Sequence, residues 1–371
     1  MINQARVTNF KCFQEQIFPL GPLTVLAGLN GTGKSSVIQA LLLLRQSGLC
    51  RDGKRDGKPG NLRWQGKLVD VGSFRDALYE DAEQDTIELE ANFDSSRRVK
   101  SKISLDTAQI PQETGEGFAG AGRTSLYRWS MFYLGADRLG PQKTLPFFGQ
   151  GHEANTPLGK QGEHVLWFLE EYGNRTVRPA LRYPNSPKDT LAFQTNAWLK
   201  VISPGAEVAI ESMPKADLVR AGFSFSRQED VSTNPFRATN VGFGLSYTLP
   251  LIVAFLYAKD DDLIIIENPE SHLHPGGQVK LAELAAKAVA AGAQVILETH
   301  SDHILNGLRL AVREGIIKPE QTVFHYFQRE GLNVRVETPV INPDGRMDIW
   351  PDGFFDQHEK ILSALVAPRD G

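Results

Sequence analysis

The chain has 371 residues, of which 41% are hydrophobic and 23% charged, with a formal net charge of −4. These values fit a globular protein with a sizeable core and exclude a globally basic nucleic-acid binder or a long disordered chain. The two cysteines, Cys12 and Cys50, match neither a disulfide framework nor a paired zinc-ligand spacing. The N-terminal MINQARVTNF lacks an apolar signal core, and the longest apolar runs, at 41–44 and 249–257, are too short to span a bilayer. The expected setting is the reducing cytoplasm.

Residues 1–27 alternate apolar and polar side chains and predict strands leading into a glycine loop. A helix is expected over 35–46. The segment 49–60, rich in Gly, Lys, Arg and Asp, reads as a loop. Strands are expected at 67–71, 86–93 and 99–105, a Gly-rich loop at 112–123, and a short strand at 130–134 ahead of the motif ADRLGP at 136–141. Residues 151–231 read as an inserted helical lobe, with helices at 162–172 and 190–202 and short strands within 208–225. The core resumes with a helix from Leu245, a buried strand at 263–266, a helix over 278–290 and a buried strand at 295–297. Near-continuous Ile, Val and Leu in strands separated by helices predict an α/β fold whose sheet is covered on both faces. The division expected is a discontinuous core, 1–150 and 232–371, around the lobe, with 340–371 as a C-terminal docking segment.

The segment GLNGTGKS at 28–35 matches G-x(4)-G-K-[ST] without departure. Its glycines let backbone N–H groups curl around phosphate oxygens. Asn30, Gly31, Thr32, Gly33, Lys34, Ser35 and Ser36 are the candidate nucleotide-binding residues. Lys34 brings charge to the β- and γ-phosphates, Ser35 can ligate Mg²⁺, and the following helix points its positive end at the same anion. Glu267, at the end of a buried strand, is the second candidate ligand for Mg²⁺. The implied ligands are ATP and Mg²⁺.

The form of this loop, with Asn30, resembles the ATPases of the ABC transporter, SMC and RecF type. NFKCF at 9–13 resembles the opening of SMC and RecF-like heads. ABC-type proteins place Asp-Glu-Pro where this chain has Glu267-Asn268-Pro269, so Asn268 occupies the position of their usual catalytic Glu. Asn cannot take a proton from an attacking water as a carboxylate does. Two readings follow: Glu270 acts as the base, or hydrolysis is slow and the protein works mainly as a switch. Ser271-His272-Leu273-His274-Pro275 occupies the place of the D-loop, which crosses to the partner subunit in ABC dimers. The two histidines have no third ligand at a recognised zinc spacing.

Gly242, Gly244 and Ser246 open an apolar helix, and Ser246 lies 21 residues before Glu267, as ABC signature segments do. The resemblance implies that they bind the γ-phosphate of ATP held by another subunit. His300, 33 residues after Glu267, matches the histidine that contacts the γ-phosphate in that group. The candidate catalytic residues are Glu267, Glu270 and His300.

Together, YLGADRLGP, ENPESHLHP, ETHSDHILNGLR and the stretch 348–356 resemble prokaryotic stand-alone ABC/SMC/OLD-like AAA family ATPases with a short C-terminal domain of unknown function. The resemblance implies an ABC/SMC-type P-loop head that forms a homodimer or higher homo-oligomer. It also implies a role in anti-phage defence or DNA maintenance with a separate nuclease or toxin effector, and no membrane contact. The alternatives are a nucleotide-locked scaffold with little turnover, and a RecF-like DNA-repair ATPase. About 70 residues follow His300, too few for the TOPRIM nuclease of OLD proteins. Asp348, Asp352 and Asp356 recur at i+4 spacing, but Pro351 and Gly353 break any helix, so the segment reads as a docking turn. Arg138 reads as buried or near nucleotide, with a core salt bridge as the alternative. Arg51, Lys54, Arg55 and Lys58, interleaved with Asp52 and Asp56, read as a charge-mixed solvated loop in preference to a DNA contact.

Overall fold

The computed structural model describes residues 1–48, 62–93, 98–104, 125–128, 130–148, 156–228, 231–331, 333–350 and 365–366. The basic loop at 51–58, Cys50, the Gly-rich 112–123, Asp352 and Asp356 lie outside the described residues.

The elements in chain order are β1 (Gln4–Phe10), β2 (Phe13–Pro19), β3 (Leu23–Gly28), α1 (Lys34–Gly48), α2 (Phe74–Ala77), β4 (Thr86–Asn92), β5 (Arg98–Ser104), β6 (Phe132–Leu134) and β7 (Leu145–Pro146). There follow α3 (Val165–Tyr172), α4 (Leu191–Ile202), β8 (Ala206–Met213), β9 (Leu218–Gln228), β10 (Val231–Ser232) and β11 (Phe236–Arg237). The chain then runs through α5 (Phe243–Tyr257), β12 (Leu263–Glu267), α6 (Pro275–Ala290), β13 (Gln294–Thr299), α7 (Asp302–Arg313), β14 (Thr322–Glu330) and β15 (Asn333–Glu337).

The central sheet has the order β15-β14-β3-β13-β12-β6. All its pairs are parallel except β14–β15. The continuous apolar runs of its strands feed two cores, because successive side chains point to opposite faces. On β12, Ile264 and Ile266 enter the core made with α3 to α7, while Leu263 and Ile265 enter the core made with α1 and the N-terminal sheet. That N-terminal sheet, order β2-β1-β4-β5, is antiparallel. Its first hairpin closes on the Phe10–Phe13 pair, with Asn9 and Lys11 left-handed (φ 51° and 53°) and both phenylalanines buried.

Residues 67–71 do not form the expected strand. They carry only an isolated bridge, Gln65 to Asp70, and then a turn into α2, which Ser73 and Asp76 cap reciprocally. The backbone of Val69 is satisfied instead by the Gln46 side chain, which accepts from its N–H at 3.2 Å and donates to its carbonyl at 3.0 Å. A side chain of α1 thus stands in for a strand partner.

The lobe contains the two expected helices, α3 and α4, and an antiparallel sheet built on the β8–β9 hairpin. Its buried residues form one cluster with α5, α6, α7 and one face of the central sheet. Trp198 of α4 is fully buried, and its indole N–H donates to the Leu181 carbonyl at 3.0 Å. Gly277 lets α6 approach the end of α4, since a Cβ there would sit 2.3 Å from the Ile202 carbonyl oxygen. No helix among the described residues is long and apolar enough to cross a membrane.

Gln294, at the start of β13, is fully buried and ties the N-terminal strand to the central sheet. Its carbonyl oxygen accepts from Ile2 N at 2.8 Å, and its amide donates to the carbonyls of Ile2 and Gly21. Gln294→Leu is expected to strand these backbone groups and cost about 3 kcal/mol of stability. Chemical denaturation with wild type and variant compared at constant slope will measure it.

Candidate functional site

The glycine loop lies between β3 and α1, and its backbone has the conformations that phosphate loops need. Gly28 and Gly33 are left-handed, at φ 138° and 94°. A Cβ on Gly28 would meet the Phe327 carbonyl oxygen at 2.3 Å, so only glycine lets the strand end pass β14 this closely. Thr32 is buried and its hydroxyl donates to the Leu29 carbonyl at 2.7 Å. Lys34 is also buried, and its ammonium donates to the carbonyls of Gly28 (3.0 Å) and Leu29 (2.6 Å). Burial lowers its pKa, and Glu298 and Glu270 oppose that shift. Ser36 hydrogen-bonds the Cys12 thiol.

Parallel register then brings three strand ends to one level. Glu267 of β12 pairs with Glu298 of β13, and Thr299 pairs with Ala27 of β3. A cleft of about 450 Å³ opens there. It is lined by Asn30, Gly31, Thr32, Gly33, Lys34, Ser35 and Ser36 from the loop, by Lys11 and Cys12 from the first hairpin, and by Glu267, Asn268, Glu298 and His300. Ser35 Oγ donates to Glu298 Oε1 at 2.9 Å. Tyr133 of β6 donates its hydroxyl to Glu267 Oε1, also at 2.9 Å.

Burial pushes both carboxyls up. For Glu298 the neighbouring Glu267 adds to burial, and the bond from Ser35 and the charge of Lys34 only partly oppose them, so its pKa lies at about 7. Glu267 is raised by burial against the hydrogen bond from Tyr133. His300 is held below its ordinary value by burial and by Lys34, so its imidazole is neutral at pH 7.

Asn268 is left-handed (φ 46°), a conformation that Asn tolerates. Its N–H donates to the Glu298 carbonyl at 2.8 Å. Arg138 is buried, and its partners are backbone carbonyls: Gly135 (3.0 Å), Glu267 (2.6 Å) and Asn268 (2.5 Å). Its guanidinium also lies 5.4 Å over the ring of Tyr247. The expected burial of Arg138 is found, but its partners are not those of a salt bridge: it is a clamp on the turn after β12. Burial lowers its pKa to about 10, which leaves it charged at neutral pH.

Glu270 does not line the cleft. Its carboxylate accepts from Thr299 Oγ1 at 2.7 Å and from His300 N at 2.8 Å, so it braces the segment that carries His300. Gly242, Gly244 and Ser246 also lie outside the cleft of their own chain. Gly242 is the N-cap of α5, and a Cβ there would meet open space. Gly244 packs on the 271–275 segment, where a Cβ on it would sit 2.5 Å from the His272 carbonyl oxygen. Ser246 faces a separate small apolar cavity with Leu139 and Leu166. His272 packs edge-on against Tyr247 at 4.7 Å, and His274 caps α6 by accepting from Gly276 N. Asp348 accepts from the N–H groups of Val340 and Ile349, and the rest of the expected docking turn, 351–356, lies outside the described residues.

Sequence reading missed Glu298 and Tyr133. Glu298 lies two residues before His300 in ETHS, and strand alternation would turn it to the face opposite Leu297. Only the register with Glu267 shows that this face is the cleft.

A P-loop ATPase head of the ABC/SMC/OLD type is what this fold and site define. The chain belongs to the family described as "AAA domain, putative AbiEii toxin, Type IV TA system", whose model matches residues 72–306. The model of an AAA ATPase domain matches residues 1–126, and that of a protein of unknown function, DUF3696, matches residues 317–365. The chain is 41% identical over 350 residues to the OLD nuclease of Thermus scotoductus (strain ATCC 700910 / SA-01), covering 81% of this chain and 59% of that protein. The chain thus spans about three fifths of that relative's length. Among solved structures, it is similar to an Smc head bound to the C-terminal winged-helix domain of ScpA (TM-score 0.52, 13% identity, 91% of this chain and 97% of that one). A second likeness is to a Pyrococcus furiosus Smc head with an extended coiled coil bound to the C-terminal domain of ScpA (TM-score 0.52, 11% identity, 98% and 99%). These likenesses describe the fold.

The Glu298 carboxyl ionises near 4.5 in the unfolded chain and near 7 in the fold. Between those values the folded state holds a proton that the unfolded state has lost. This contribution to stability is therefore full below pH 4.5 and is lost as pH rises to about 7. Glu298→Gln removes the titration. Without nucleotide or divalent cation, its stability relative to wild type is expected to rise across that window by up to about 3 kcal/mol. Denaturation curves at pH 4.5, 6 and 8 check this.

Proposed function

We propose that the chain binds ATP with Mg²⁺ in this cleft and closes head-to-tail with a second copy, each cleft receiving the start of α5 from the partner. The observation that carries this reading is the split of the phosphate-binding groups. The cleft gathers Lys34, Ser35, Glu267, Glu298 and His300, while the exposed helix start at Gly242 and Phe243 lies outside it. A free helix N-terminus attracts phosphate, and in this arrangement a second chain would bring it there.

Lys34, now held by two carbonyls, would turn to the β- and γ-phosphates. Ser35, with the acids at the strand ends, fits Mg²⁺: it is a hydroxyl already bonded to a buried carboxylate, and hydroxyl and carboxylate oxygens are the donors this ion prefers. Bound there, Mg²⁺ would neutralise phosphate charge. Neutral His300 contacts the γ-phosphate as a hydrogen-bond donor, and Glu270 is a positioning residue that holds the His300 backbone. Closure would then depend on the γ-phosphate.

The role we infer is that of a nucleotide-gated sensor or regulator in DNA defence or maintenance, acting through a separate nuclease or toxin effector. The toxin–antitoxin wording of the family description and the OLD nuclease relative support it. Asn268 favours a second reading, a nucleotide-locked scaffold that turns over slowly, since it brings no carboxylate to the attacking water.

The test is steady-state ATP hydrolysis with and without duplex DNA. Lys34→Ala and Gly242→Asp are each expected to abolish turnover. The aspartate meets open space and suits a helix start, yet it repels phosphate. Mixing the two inactive variants is expected to restore activity, because a mixed pair keeps one intact composite site. No recovery, with each variant still folded, would refute head-to-tail closure. Wild-type turnover no greater than that of Lys34→Ala, with ATP bound, would favour the scaffold.

Glu270→Gln and His300→Ala are expected to slow turnover with little change in KM. The double variant should be no slower than the slower single variant, because the two residues act as one unit.

A further inference from the structure

A second group of cations gathers where α5 ends. A cavity of about 230 Å³ opens there, lined by Arg175, Arg178 and Lys259, by the Tyr257 side chain, and by Leu191 and Leu256. Lys259 lies before the start of β12 and Glu267 at its end, so this cavity sits at the opposite edge of the central sheet from the glycine-loop cleft, and the two share no residue. The Arg175 guanidinium lies 5.1 Å over the Tyr257 ring and 5.4 Å over the Tyr172 ring, and it donates to the Tyr257 hydroxyl. Lys259 Nζ lies 5.6 Å over the Tyr257 ring. Among the described residues neither cation has a carboxylate partner. Arg178 gives Nη2 to Asp260 Oδ1 at 2.9 Å, while its Nη1 is buried without a hydrogen bond. The other nearby acids are engaged elsewhere. Asp262 is bonded to Ser130 and to the Lys259 N–H, with Arg128 at 3.8 Å, and Asp189 pairs with Arg182. Three cations against the one acid Asp260 leave a local excess of two positive charges. Gathering like charges is unfavourable, and the aromatic faces offset only part of it.

We propose that this cavity is a second ligand site, in which Arg175, Arg178 and Lys259 bind the terminal phosphate of a phosphomonoester. A phosphomonoester dianion matches the excess of two charges, whereas a carboxylate would leave one uncompensated. The guanidinium forks suit phosphate oxygens, and Lys259 adds a point charge. An anion that turns Arg178 toward the cavity would also give Nη1 the partner it lacks, and an unpaired buried donor is costly. Tyr257 and Tyr172 already hold Arg175 in place, so less side-chain freedom is lost when the ligand binds. A bare phosphate would leave the wall of Leu191, Leu256 and Tyr257 uncovered, and the organic part of an ester covers it. Free phosphomonoesters and the 5′-phosphate end of a nucleic-acid strand share this chemistry. The inference does not rest on nucleotide binding at the glycine loop.

The experiment is calorimetric titration of the full chain carrying Lys34→Ala, which silences the glycine loop. The probes are AMP and a five-residue oligothymidylate with a 5′-phosphate. Titration at pH 8 keeps the terminal phosphate a dianion, since its second pKa is about 6. One site is expected. Lys259→Gln and Arg178→Gln should each weaken it at least tenfold, while Lys259→Arg keeps most of the affinity. Lys215→Gln, an exposed neutralisation on the lobe, should leave it unchanged. Equal or tighter binding of AMP assigns free phosphomonoesters as the ligand, and tighter binding of the oligonucleotide assigns a nucleic-acid end. Binding of neither probe, or binding that Lys259→Gln leaves unchanged, would overturn the proposal. Lys259 is exposed, so its variant is expected to fold even where that of Arg178 does not. ATP binding by the chain with Lys34 intact is measured separately, so failure of the nucleotide reading and failure of this site are told apart.

Discussion

The parallel register of β3, β13 and β12 is the constraint on which the site depends. Ala27 pairs with Thr299 and Glu267 pairs with Glu298, so the glycine loop and two acids leave the sheet at the same level. Side chains alternate along a strand, so a one-residue slip of β13 would turn Glu298 from the cleft into the opposite core. Both faces of the sheet are buried, and such a slip would also misplace Val295, Ile296 and Leu297. The apolar packing that holds the fold therefore also holds the acids in place. Gln294 pins the other end of the same strand to the N-terminal segment.

This arrangement has an electrostatic cost that the surroundings partly offset. Glu298 is buried and Glu267 half-buried beside it, and each carboxyl is held up toward its protonated form. Arg138 is close enough to feel the acids, but it spends its hydrogen bonds on the carbonyls of Gly135, Glu267 and Asn268. It fixes the path of the turn and contributes positive potential without forming an ion pair. Lys34 likewise donates to Gly28 and Leu29. Arg138 and Lys34 thus organise backbone, and one oxygen of Glu298 is left without a hydrogen bond.

Much of this was legible in the sequence. The glycine loop announces itself because its chemistry is local: glycines at φ near 138° and 94°, then Lys34 and Ser35 at fixed offsets. The buried strands were legible for a similar reason, since runs such as LIII tolerate few other settings. What sequence could not reach is non-local. Residues 67–71 look like a strand, but they carry only an isolated bridge, and Gln46 satisfies the backbone of Val69 instead. Arg138 reads as buried or near nucleotide, with a core salt bridge as the alternative, whereas carbonyls 129 and 130 residues away are its partners. Glu270 stands in a motif rich in acids and looks catalytic, but its oxygens turn to Thr299 and His300. Glu298 was overlooked beside a more conspicuous histidine, because its meaning lies in the strand next to it.

Asn268 shows how backbone and chemistry become linked at one position. It is left-handed, its N–H is given to the Glu298 carbonyl, and its own carbonyl is held by Arg138. Asn adopts that conformation more readily than Glu. An acid there would also set a third negative charge against Glu267 and Glu298, in a cleft whose two existing carboxyls already resist ionisation. With Asn the left-handed turn is unstrained and no third carboxyl is added beside the two. The same choice leaves no carboxylate on the turn to receive a proton from water. An unstrained turn and a proton-accepting carboxylate therefore pull this position in opposite directions, and the residue found there favours the turn.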